Sequence, residues 1–407
     1  VPPTTSQVAI PATGGTRLRA AAAAMVLIGL ATFAGLLLAG KAELAWSGLL
    51  QGMLVPTWIA MGGLFFIAVH SLCGGQWITP LRRLIEGLTA GLPLTLGAFL
   101  AIAVCGGPYL YDWLFLSGPA HDALFHPQAE SRDLVTPQAW MSASRWIATT
   151  GVTLLLWLYF RSELVRLSLR QDGGTDISAS HLRLSTVFLL VFALSFTLFC
   201  WDMLMALNSH WVSTMWGIYC FTSAVQTFLA VLIIMAVWLR AGPLAGVLRE
   251  HTLRDLGTWM VAWACFTAYI GFAQYLVIYY ANIDEETIFF IKRFQHGYGQ
   301  CYVLEAVLRF AVPFAVLMSQ SMRARPAALV AVSALTLLGN WIDWSWIIMP
   351  AFSPNRFRPF WDLPALLIGA GFVGAFLLLA LAFWRKHGLV AKGDPRLQPT
   401  IHAEHLH

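Results

Sequence analysis

Several ionisable side chains stand where the neighbouring sequence is apolar. Asp202 closes the run "LSTVFLLVFALSFTLFCWD", and His210 follows in "NSHW". Arg145, Glu305, Arg309 and Asp343 interrupt other apolar runs, while His70 and Glu86 sit near the ends of two more. A charged group at the centre of a membrane helix costs about 2.5–3.5 kcal/mol on insertion scales, so each needs a partner or a task. Carboxylate and imidazole share one task, because both accept and release protons.

The residues sort by depth into two expected clusters. The outer one comprises Arg145, Asp202, His210, Gln274 and Asp343, with Ser213 and Thr214 able to hydrogen-bond into it. An acid–histidine group of this kind suits a quinol head group, whose two oxygens lose protons on oxidation. The second cluster runs inward through Glu305 and Arg309 to Glu86 and His70 and suits a proton path. Glu305 and Arg309 are four apart, hence on one helix face. Structural readings stand beside these: both Asp202–Arg145 and Glu305–Arg309 would serve as ion pairs that only hold helices together, and His70 as a hydrogen-bonded interface histidine.

Helices must position these groups. The chain has 407 residues, 58% hydrophobic and 11% charged, against about 25% charged for a soluble domain. Runs of ~20 apolar residues predict an all-α polytopic membrane protein of about ten transmembrane helices. Their approximate limits are 20–40, 47–70, 84–105, 139–160, 183–206, 213–239, 256–282, 297–320, 327–349 and 363–384. The segment after Arg17 and Arg19 is too long for a signal-peptide core and reads as a retained span. Residues 1–19 and 386–407 read as polar tails around a membrane domain at 20–385. An even number of spans puts both termini on one side. About 17 Lys and Arg fall on that side and about 6 on the other, which predicts cytoplasmic termini.

The second to fifth and sixth to ninth spans form two expected four-helix bundles in the same orientation (47–206 and 213–349), flanked by the first and last spans. Each bundle's last helix carries an acid among tryptophans, "CWDM" and "NWIDWSW", making Asp202 and Asp343 candidate counterparts. Trp201, Trp211 and Trp216 read as interface anchors. Asp284, Glu285 and Glu286 read as a solvated loop, and "HAEHLH" at the C-terminus as a disordered tail.

Redox ligands are not apparent. The six cysteines form no CxxC or CxxCH pattern, and His70 alone among 11 histidines falls outside loops, tails or span edges. The expectation is no metal and no cofactor bound by this chain.

"WDMLMALNSHWVSTMWGIYCF" (201–221) and "AYIGFAQYLVIYYANIDEETIFFIKR" (268–293) resemble segments of the ActF subunit family of bacterial alternative complex III, within the wider NrfD-like group. "VPFAVLMSQSMR" (312–323) and "NWIDWSWIIMPAF" (340–352) look like the same family's last third. The resemblance covers about residues 185–355; the first 180 match in hydropathy and span count more than in motif. Asp202, His210, Gln274 and Asp343 fall in matched segments, whereas His70, Glu86 and Arg145 do not. The resemblance implies a multi-subunit quinol:cytochrome c, or other high-potential carrier, oxidoreductase in a bacterial cytoplasmic membrane. Expected partners are an ActC-like paralogue, an iron–sulfur subunit and c-type cytochrome subunits. These partners would carry the haem c and iron–sulfur clusters. The role implied for this chain is proton conduction or energy coupling, with quinol a possible ligand. A stand-alone proton-coupled secondary transporter is the alternative reading, supported by the buried acids. Pro56, Pro93 and Pro313 interrupt spans without occupying matching positions in the two halves, as broken transporter helices would.

Overall fold

The computed structural model describes residues 12–114, 140–209, 211–295, 297–352 and 361–402. Their regular secondary structure is all helical, with no strand among the described residues. The spans, in chain order, are α1 (Ala12–Leu38), α2 (Ala42–Leu72), α3 (Thr79–Leu110), α4 (Ala143–Asp172), α5 (Ser178–Met203), α6 (Trp216–Arg240) and α7 (Glu250–Ala281). After a short helix α8 (Asp284–Gln295) come α9 (Gly299–Leu317), α10 (Pro326–Phe352) and α11 (Leu363–His387). Among the described residues nine of these are long and apolar enough to cross a membrane. The tenth, α4, falls short on hydropathy because Arg145, Arg161, Glu163, Arg166 and Arg170 punctuate it. It nonetheless runs the full length of α5, antiparallel, through Trp146 to Asp202, Trp157 to Ser195 and Phe160 to Phe188. The chain is an all-α polytopic membrane protein of about ten spans.

Two four-helix rings form the body. Helices α2, α3, α4 and α5 close one, and α6, α7, α9 and α10 the other; α2 and α6 share the seam. With lipid as solvent, such contacts rest on close packing more than on exclusion of water. At the seam a Cβ added to Gly62 would lie 2.5 Å from Phe228, so glycine lets the two backbones approach. Phe65, Phe192, Phe221 and Trp263 join four helices of both rings at centroid distances of 4.8–6.2 Å. The flanking spans α1 and α11 pack antiparallel: Gly29 meets Gly371, and Ala22 meets Gly374. The start of α1 and the end of α11 therefore lie at one end of the bundle, called here the terminal face.

Prolines shape the irregular turns. Wide π-helical turns occur at Ile102–Gly106 and Val307–Ala311, each ending two residues before a proline, Pro108 and Pro313. A proline ring crowds the carbonyl four residues back and offers it no N–H. For Pro313 that carbonyl is Arg309's, and Gln226 on α6 donates to it at 2.7 Å. For Pro350 it is Trp346's, and Arg293 on α8 donates to it at 3.1 Å.

Three expectations are corrected. Asp284, Glu285 and Glu286 are the first turn of amphipathic α8, with Lys292 and Arg293 in its last, an order that complements the helix dipole. Trp211 and Trp216 are buried rather than interfacial: Trp211 stacks on Phe289 of α8 at 3.9 Å, and Trp216 on Tyr219. The segment after α11 is no free tail. Leu389, Val390 and Ala391 are buried, and the Gly393 N–H donates to Asp172 at 3.0 Å. A short helix, α12 (Leu397–His402), follows. Most of "HAEHLH" lies outside the described residues.

Candidate functional site

Each ring contains one aspartate on its last helix, held by an arginine from the helix before. In the first ring, Arg145 near the start of α4 reaches Asp202 near the end of α5. Nη1 donates to Oδ1 at 2.8 Å. The other oxygen accepts from Thr149 at 2.7 Å and from Thr150 at 3.3 Å. Trp146 donates to the Asp202 carbonyl. Asp202 is buried, but the Arg145 side chain keeps 18% of its surface exposed and lies over the Trp140 ring. This centre sits at a bundle edge, with one cation for one anion.

The second ring's centre is richer. Arg309 stands in the π-helical turn of α9, where Nη1 donates to Glu305 at 2.7 Å and lies 3.0 Å from Asp343 of α10. Tyr219 of α6 donates through a short bond to Asp343, and Ser223 lies 3.5 Å from the same carboxylate. Ser223 also donates to Asn340 and accepts from Trp344. Gln226 and Arg309 bond reciprocally, amide to carbonyl and guanidinium to amide oxygen. Side-chain exposure is 2% for Arg309, 8% for Glu305 and 0% for Asp343. Measured from helix ends, this centre lies roughly two turns deeper than the first. Two carboxylates face one guanidinium, so the ionised triad carries one net negative charge and neutralises on binding one proton. The Arg309 Nη2 is buried without a hydrogen-bond partner, an open donor at the same spot.

The residues thus group differently from the two clusters predicted by depth. Asp343 joins Glu305 and Arg309 rather than Asp202 and Arg145. Depth along a helix says nothing about which neighbour a side chain faces. Gln274 is buried on α7 and donates to Ser213 at 3.4 Å, away from the Asp202 partners. His210 lies outside the described residues. Glu86 belongs to the terminal face, 2.7 Å from Arg83 and 3.3 Å from Arg82. His70 donates to the Phe66 carbonyl at 2.8 Å and is boxed by Phe66, Trp77 and Trp259. Neither contacts the triad.

Two participants escaped sequence reasoning. Tyr219 was one aromatic among many until α6 placed its hydroxyl against Asp343. Arg293 is not among the residues singled out from the sequence. It is 1% exposed, donates to the Trp346, Ile347 and Phe289 carbonyls, and lies 3.4 Å over the Phe289 ring. Pro350, four residues after Trp346, was the available signal for the first of these bonds. No protein-family model matches the chain, and no curated protein matches it.

Proposed function

We propose that this chain is the ActF-type membrane subunit of an alternative complex III, a quinol:cytochrome c (or other high-potential carrier) oxidoreductase, and that its second helix ring conducts protons. The observation that carries the reading is the Glu305–Arg309–Asp343 triad. One proton switches it between net charge zero and minus one, and Tyr219 and the spare Arg309 N–H stand ready to exchange hydrogen bonds as it does so. Purely structural pairing would be complete with one carboxylate per guanidinium, as at Arg145–Asp202. That first centre is the better placed of the two to meet a quinol head group, since Arg145 reaches the surface. On this reading the electron-carrying centres belong to an iron–sulfur subunit and c-type cytochrome subunits, with an ActC-like paralogue alongside, in a bacterial cytoplasmic membrane.

The test is the purified assembly in proteoliposomes, with quinol oxidation and proton release followed together. Glu305→Gln and Asp343→Asn are expected to lower quinol-driven proton movement at least tenfold while subunit composition is retained. Wild-type proton movement in both intact variants would refute the conducting role. An isolated chain that moves a solute against a proton gradient without quinol would instead establish the transporter.

A further inference from the structure

At the terminal face a small recess opens between the end of α2, the start of α3 and the returning C-terminal segment. Its polar lining is His70, Ser71, Thr79, Arg82 and Arg396, with Ile78 on the apolar side. Gly75 closes over the His70 ring so tightly that an added Cβ would sit 2.8 Å from it.

The hydrogen-bonding capacity around this recess is under-used. Thr79 Oγ1 and Arg82 Nη2 are buried without a partner. Arg82 is only 5% exposed and Thr79 1%. Immediately behind, His181 accepts or donates through Nδ1 to Ser71 at 2.9 Å, while its Nε2 is buried and unpartnered. Buried polar atoms are nearly always satisfied, so a concentration of open groups around one recess marks a missing partner.

Charge says what kind of partner. Arg82 binds Asp394 at 3.0 Å and approaches Glu86; Arg83 binds Glu86 and Asp172; Arg396 binds Asp394. Arg161 approaches from α4 and donates to Thr89. Of these charged groups only the guanidiniums of Arg82 and Arg396 line the recess, and no carboxylate does. A water molecule would answer the open hydrogen bonds, whereas an anion would also match the two guanidiniums that line the recess.

We propose that this recess binds a phosphate oxyanion, held by Arg82, Arg396 and Thr79 with Ser71 and His70 at its edge. A phospholipid head group and free inorganic phosphate offer the same chemistry. Basic pockets between membrane helices near the head-group level are known to take the former, and guanidinium forks match phosphate oxygens in either case.

The full chain, purified within its native assembly and delipidated in detergent, provides the test. Its thermal midpoint would be titrated with inorganic phosphate against chloride at equal ionic strength. A parallel titration would use phosphatidylglycerol against a diacylglycerol with the same acyl chains. A saturable rise is expected with at least one phosphate probe: inorganic phosphate alone identifies the soluble source, phosphatidylglycerol alone the lipid, and both the shared chemistry. Thr79→Val and Arg396→Gln should each weaken the apparent affinity about tenfold, the scale of one hydrogen bond to a charged group. Arg396 is partly exposed, so its replacement tests the site without emptying a core position. No rise over the controls with either probe, or wild-type responses from both folded variants, would overturn the proposal.

Discussion

Arg309 is the residue on which the second ring's polar interior converges. It contacts Glu305 and Asp343, bonds Gln226 and lies 5.8 Å from the Tyr219 ring centroid. Replacing it with methionine would leave two buried carboxylates without a counter-charge. Breaking a buried pair in this way costs about 3–5 kcal/mol. Arg309→Met should therefore lower the thermal unfolding midpoint in detergent and reduce yield, whereas Asp343→Asn, which still accepts from Tyr219, should not. Asp202→Asn poses the complementary question. The first centre has one acid for one base, so losing the carboxylate's charge frees Arg145 at the bundle edge. Slower quinol-driven turnover with assembly retained is expected; unchanged turnover in the intact variant would leave Asp202 only an anchoring role.

Helices in this protein meet through a recurring device: a proline frees a carbonyl, and a buried polar side chain from another helix supplies the donor. Gln226 does so for Arg309, and Arg293 for Trp346. An orphaned buried acceptor costs about 1–3 kcal/mol. Arg293→Met should accordingly destabilise the docking of α8 on α10, seen as earlier proteolytic cleavage within Asp284–Gln295. In a Pro350→Ala background the backbone can restore its own hydrogen bond to Trp346, so the same substitution should cost less. A double-mutant cycle on unfolding midpoints measures the difference; strict additivity would show that the carbonyl bond is not what Arg293 contributes. The spans themselves were readable from apolar run length, although α1 begins eight residues before its expected limit and α4 ends twelve residues after its own. Amphipathic α8 was not, because its 12 residues lie between two spans and begin with three acids, which reads as a loop until Phe289 and Phe290 are seen packed against Trp211 and Trp346.

Across the whole molecule, the C-terminal segment ties α3 and α4 together at the terminal face. Burial pushes the Asp394 carboxyl upward, but hydrogen bonds from the Arg396 side chain and backbone, with the charges of Arg396 and Arg82, outweigh it. The net result lies below the usual carboxylate range. A group lowered on folding contributes stability above its unfolded value of about 3.9 and loses it as pH falls through the folded value. Proteolysis after α11 should therefore accelerate below roughly pH 4, and Asp394→Asn should be cleaved readily at neutral pH. At the molecule's other edge, α1 is held mainly by α11 through small residues, with Phe33 also against Trp46 of α2. A Cβ on Gly374 would fall 2.4 Å from the Ala22 carbonyl oxygen. Gly374→Leu should release α1, lowering the yield of an engineered cross-link between the two helices while the rings stay folded.

Composition and run length by themselves determined that the chain crosses a membrane about ten times, because no other structure satisfies so many apolar residues and their backbone groups in lipid. Spacing on one helix likewise determined Glu305 with Arg309, since residues four apart share a face. Only the tertiary structure decided that Asp343 is their third member, that Tyr219 reaches it, and that Arg293 is buried. Those are contacts between helices, set by rotation about each helix axis and by packing at the ring seams, neither of which hydropathy or spacing within one helix encodes.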